Sequence, residues 1–156
     1  VLIAAALFFG RYFVVTAAVM PSFLHLFILI LHEAGHIIMM PFGNFMMLLG
    51  GTLWQIAIPL MIALYFLLSR QFFAAAIALM LVGFSFLDAS MYVADASSRQ
   101  LDLITIDKDT HDWWQLLRPM GLLGYDRFLA TLYYLEGLGC YLTGIAVGLR
   151  VVRQQD

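Results

Sequence analysis

Four stretches of this chain, 22–40, 45–69, 72–94 and 128–149, are apolar over about the length needed to cross a lipid bilayer. At 1.5 Å rise per residue, roughly 20 such residues carry a helix through a hydrocarbon core of about 30 Å. Inside hydrocarbon each segment must satisfy its own backbone hydrogen bonds, which an isolated run achieves only as a helix. The expected fold is an all-α, polytopic membrane helix bundle with four spans. A fifth is left open for the first twenty residues. Arg11 interrupts that stretch and Pro21 ends it, so it reads as the tail of a span followed by an interfacial segment.

Composition agrees. Of 156 residues, 63% are hydrophobic and 12% charged, whereas a soluble domain is nearer half apolar and a quarter charged. The length suits one domain, 1–156. A net charge of −2 gives no reason to expect nucleic acid as a partner. Cys140 is alone, so no intrachain disulfide forms and the redox compartment stays open.

Only one connection is long and polar, the loop 96–126 between the last two spans. It carries Asp102, Asp107, Lys108, Asp109, His111 and Asp112. Alternation of sides puts Arg11, Arg70, Arg150 and Arg153 on the opposite face, concentrated in short segments with almost no acid. The positive-inside rule then places that face in the cytoplasm and the loop outside a cell (inner) membrane, crossed several times.

Within the first span lies His32-Glu33-Ala34-Gly35-His36. Two His at i and i+4 share one helix face and can bind the same metal ion. The Glu between them is held where it can take a proton from a water on that metal. Ionisable groups in a bilayer are costly and mark functional sites by default. The structural alternative is a buried hydrogen-bonded cluster, or a metal site without activity. His25 shares the face of His32, but two turns of helix, about 10.5 Å, separate them. It is expected to bond a neighbouring helix rather than the same ion.

Catalytic zinc normally has three protein ligands and one open position. Asp88, Asp95, His111, Asp112 and Glu136 are the candidates for the third. Asp88, Tyr92 and Asp95 fall on one face of the third span, and Glu136 lies in the loop-side half of the last. Polar groups from three spans therefore gather in one leaflet, as around a buried aqueous pocket. Asp95 suits the required depth if the third helix runs on to about Gln100, and Asp88 suits it if the helix stops near Ala94. The loop could also fold down as a lid and deliver His111, with Trp113-Trp114 at the interface.

His32 to His36 inside a span, with an Asp from a later one, resembles the site-2-protease-like intramembrane zinc metalloproteases. Leu87-Asp88-Ala89 faintly resembles that class's Leu-Asp-Gly ligand motif, with Ala for Gly. A closer resemblance is to small bacterial membrane proteins grouped with those peptidases. Their pattern is matched here by Leu49-Gly50-Gly51-Thr52-Leu53-Trp54-Gln55, Tyr92-Val93-Ala94-Asp95-Ala96 and His111-Asp112-Trp113, across roughly 22–125. The resemblance implies Zn²⁺ on His32, His36 and an Asp, favouring Asp95 over Asp88, with Glu33 activating water; His111 stays an alternative through the loop. Gly50-Gly51 most often means close helix packing; the alternative is backbone exposed to an extended substrate whose amides Gln55 binds.

Two functions follow. One is a zinc-dependent intramembrane peptidase of the HExxH type, acting on a membrane protein or peptide. The other is a non-catalytic accessory subunit of a larger membrane complex that retains the fold. Haem ligation ranks low, because three of the four His share one span.

Overall fold

The computed structural model describes residues 1–153. Its long helices are α1 (Leu2–Val14), α2 (Phe23–Met39), α3 (Asn44–Leu68), α4 (Phe72–Ala94) and α6 (Asp126–Arg153). A six-residue helix, α5 (Asp112–Leu117), interrupts the long connection. Among the described residues there is no strand. Four helices are long and apolar enough to cross a membrane: α2 with the turn that extends it to Phe42, α3, α4, and α6 with the turn from Leu123 that precedes it. The chain is an all-α bundle of a membrane protein.

The bundle is built around α4, whose apolar window is 67% buried against 17% for α2 and for α6. Small residues let helices touch backbone to backbone. A Cβ on Gly83 would stand 2.7 Å from the Gly137 carbonyl, and one on Gly144 the same distance from that of Ala76. That seam draws α6 along α4. On the other side Gly50 meets Gly35, locking α3 to α2. In a bilayer, where lipid tails compete for apolar contact, such close packing supplies much of the helix association.

Helix α1 runs antiparallel to α6: Leu2 lies against Gly148, the Tyr141 hydroxyl donates to Ala6 O at 2.8 Å, and that of Tyr134 to Phe13 O at 3.2 Å. It stops half-way. Tyr12 packs edge-on against Phe84, ring centroids 5.0 Å apart, and Phe84 is midway along α4. Helix α2 starts beside Phe8 and Arg11 and continues in the same direction, capped by the Ser22 side chain accepting from His25 N–H. Residues 15–22 between them interrupt the α-helix at mid-depth of the bundle, with one 3-10 turn at Thr16–Ala18. This corrects the placement of Arg11. It does not share the face of Arg70, Arg150 and Arg153, because α1 ends within the bundle rather than at its surface.

Helix α4 ends at Ala94, so Asp95 caps it instead of continuing it. Its carboxylate accepts from Ser98 Oγ (2.6 Å), Gln100 N (2.8 Å) and Leu101 N (2.9 Å). The long connection then folds back over the bundle. Leu116, Leu117 and Trp113 of α5 are buried with Leu48 and Val93, and the Trp113 indole donates to Thr52 Oγ1 at 2.9 Å. Trp114 takes the guanidinium groups of Arg99 and Arg118 against its ring, at 4.5 and 4.7 Å.

Candidate metal centre

Helix α2 presents His32 and His36 on one face, their rings 4.8 Å apart. Each is held by its Nδ1. His36 Nδ1 bonds Met47 O at 2.8 Å, and His32 Nδ1 bonds Gln55 Oε1 at 2.6 Å. A carbonyl only accepts, so both imidazoles carry a proton on Nδ1 and turn Nε2 the other way. Gln55 is oriented in turn by its own amide, which donates to Ser85 O (3.2 Å) and Asp88 Oδ2 (3.4 Å). Space for the His32 ring exists because residue 51 is glycine: a Cβ there would strike the imidazole.

Both Nε2 atoms meet one carboxylate. Asp112 Oδ2 lies 2.9 Å from His32 Nε2 and 3.3 Å from His36 Nε2. Burial disfavours the charge of Asp112, yet its hydrogen bonds with the two His outweigh that and hold the carboxyl down at about 2. Tyr92 steadies it twice, donating from its hydroxyl to Oδ2 (3.2 Å) and accepting from Asp112 N–H (3.0 Å). Two imidazole nitrogens facing one carboxylate oxygen need a positive charge between them, either a proton on Nε2 or a metal ion in its place. His32, His36 and Asp112 form a group that could hold a metal ion.

The structure brings Asp112 to the His pair and leaves the other candidates elsewhere. Asp95, expected as third ligand, is committed to closing the turn after α4; these bonds keep its carboxyl below its ordinary range, against the opposing effect of burial. His111 is fully buried, stacked on Tyr92 with ring centroids 4.2 Å apart, and its Nδ1 accepts from Trp114 N–H as the cap of α5. Its Nε2 stands 3.6 Å from Asp95 Oδ2 and has no hydrogen bond. Burial pushes the His111 imidazole below its ordinary pKa, with Asp95 and Asp112 opposing. Asp88 bonds His25 Nδ1 at 2.6 Å, so His25 does find its partner on a neighbouring helix. Glu136 is exposed on α6 and takes no part.

Gln55 also differs from expectation. The alternative in which its amide binds substrate does not match its surroundings: Gln55 is 2% exposed and both ends of its amide are used within the bundle. Gly50 and Gly51 serve packing, the commoner of their two readings. The sequence singles out Tyr92 and Gln55 by motif and by helix face, but not for the positioning roles they take here.

Glu33 is exposed and lines a cavity of about 660 Å³ together with His25, His36, Asp88 and Tyr92. Residues 101–105 of the long connection close one side of it. The arrangement combines a triad that could hold a metal ion, a carboxylate one residue from His32, and a partly apolar cavity beside them.

No protein-family model, curated protein or solved structure matches the chain.

Proposed function

We propose that this chain is a zinc-dependent intramembrane peptidase, a multi-pass protein of the cell (inner) membrane. The observation that carries this reading is the convergence of His32 Nε2, His36 Nε2 and Asp112 Oδ2 at the cavity Glu33 lines. Two imidazoles and one carboxylate are a ligand set that catalytic zinc uses. Tetrahedral bonds of about 2.0 Å place ligand atoms roughly 3.3 Å apart; Asp112 Oδ2 stands 2.9 and 3.3 Å from the two His, and all three ligand atoms lie within 4.8 Å of one another. The order of short motifs along 22–125 resembles that of small bacterial membrane proteins grouped with the site-2-protease-like class, which supports the same chemistry.

Bound there, zinc would polarise a scissile carbonyl and lower the pKa of an attacking water. Glu33 takes one proton from that water as its hydroxyl adds to the carbonyl carbon, and returns the proton to the amine as the C–N bond breaks. Tyr92 and Gln55 hold the ligands still through both steps. A helical substrate must unwind to expose its peptide bond, and the cavity offers room for an unwound segment of a membrane protein or peptide.

The experiment is Glu33→Gln beside His36→Ala, at matched protein levels, in a cellular cleavage assay with metal content measured in parallel. The Gln variant should keep its zinc and lose roughly 10²- to 10⁴-fold in turnover, the usual worth of general acid–base help. A fully functional Gln variant would make the metal structural and the chain an accessory subunit. The proposed orientation, with the long connection outside, is tested by thiol labelling of Ser98→Cys and Ser69→Cys in a Cys140→Ala background. Only the first should react from outside.

A further inference from the structure

Arg11 lies at the middle of the bundle and points away from it. Tyr12 packs on Phe84, midway along α4, and Gly10 lies against the Tyr141 hydroxyl, midway along α6. The guanidinium is exposed, bonds only the neighbouring Tyr12 hydroxyl (2.6 Å) and sits over the Phe8 and Tyr12 rings at 4.6 Å. Among the described residues no carboxylate pairs with it. An arginine at that depth facing lipid is costly. Beside it runs the helix break of residues 15–22, and irregular backbone at membrane depth is tolerated only under protein cover or against water. Phe8, Arg11, Tyr12, Val15, Pro21 and Phe23 line a cavity of about 660 Å³ at this break.

A complementary group sits on another face of the same chain. Glu136 is exposed on α6 and, among the described residues, has no hydrogen bond or ion pair. Its neighbour Gly137 packs on Gly83, next to Phe84, so Glu136 lies at the depth of Arg11. Gly139 and Thr143 follow it on the same helix face at i+3 and i+7, and a Cβ on Gly139 would meet nothing within 4 Å. The result is a shallow notch beside a carboxylate. Every copy of a membrane protein crosses the bilayer in one orientation. Two copies side by side therefore bring these opposite charges to the same height.

We propose that a second copy of this chain covers the α1–α2 break, with its α6 outer face in the groove and its Glu136 paired to Arg11. Because the two charges stand on different faces, the contact is head-to-tail and builds a ring or an open row rather than a two-fold dimer. It satisfies two intramembrane charges with each other and removes broken backbone from lipid. The inference is independent of the chemistry proposed for the metal centre.

The test uses the full chain in phosphatidylcholine–phosphatidylglycerol vesicles, with energy transfer read between two separately labelled populations. Wild type should associate. Arg11→Glu and Glu136→Arg should each weaken association by roughly tenfold or more, as when a buried ion pair loses a partner. The double variant carrying both should recover it, which excludes misfolding as the cause of the single losses. In a Cys140→Ala background, Arg11→Cys and Glu136→Cys chains mixed together should cross-link with a short bismaleimide, while neither should alone. Wild-type monomers, single reversals that assemble normally, or loss without recovery in the double variant would each overturn the proposal.

Discussion

Gln55 Oε1 accepts from His32 Nδ1 at 2.6 Å, and that bond decides which way the imidazole faces. With Nδ1 protonated and held, Nε2 is the atom left for a metal. Partners of this kind typically contribute 10- to 100-fold in metal affinity. Gln55→Ala should therefore weaken zinc binding by about one to two orders of magnitude, while the helices remain folded. Chelator competition on the detergent-purified protein measures this. An unchanged affinity would mean that Gln55 does not orient the ligand.

Asp112 and Asp95 stand on either end of the same connection but have different work. Asp112→Ala removes a ligand oxygen and should strip the metal. Asp95→Asn removes the charge from a turn bonded through Ser98, Gln100 and Leu101. It should leave zinc in place but expose 96–110 to protease. Metal analysis and limited proteolysis, run side by side, separate the two. Zinc lost from the Asp95 variant with the connection still protected would exchange their roles.

The bundle was legible because its cause is local: apolar runs of span length declare themselves one at a time. The 72–94 stretch coincides with α4, and 45–69 differs from α3 by one residue at each end. His32, Glu33 and His36 were legible for the same reason, since i and i+4 fix their common face. Asp112 was visible only as one of five candidates. Choosing it requires knowing that Trp113, Leu116 and Leu117 bury themselves against α3 and α4, which is a tertiary event. Arg11 was misplaced because alternation of sides assumes that every apolar run crosses, and α1 stops half-way. Glu136 was grouped with the pocket by depth alone, although the face of α6 it occupies looks outward.

Acid should loosen the connection, beginning in the ordinary imidazole range. His111 is buried and its pKa lies below the usual 6.5. The undocked connection therefore takes up a proton more readily, and docking loses stability as pH falls below about 6.5. Asp95 and Asp112, both below their usual 3.8, act in the same direction only in stronger acid. Hydrogen exchange of 96–118 should rise between pH 7.5 and 5.5 in wild type. It should stay flatter in His111→Asn, which keeps a capping acceptor and does not titrate. Identical profiles for the two proteins would remove His111 as the sensitive group.

Gly51→Ala sets two effects of opposite sign against each other. In a helix interior, alanine is better than glycine by about 1 kcal/mol, so propensity alone predicts a more stable α3. Against this, a Cβ at residue 51 would strike His32 at Nε2, Cε1 and Cδ2. The neighbour that must give way is a ring held by Gln55 on one edge and Asp112 on the other, so it cannot turn without breaking one of those bonds. The clash should win at the metal centre even if the helix gains. The expected outcome is a folded protein, with helical circular dichroism unchanged, whose zinc occupancy falls to the level of His32→Ala. If zinc is retained at full occupancy, the His32 ring has room that the structure does not give it, and the packing of α2 on α3 at this level is looser than described.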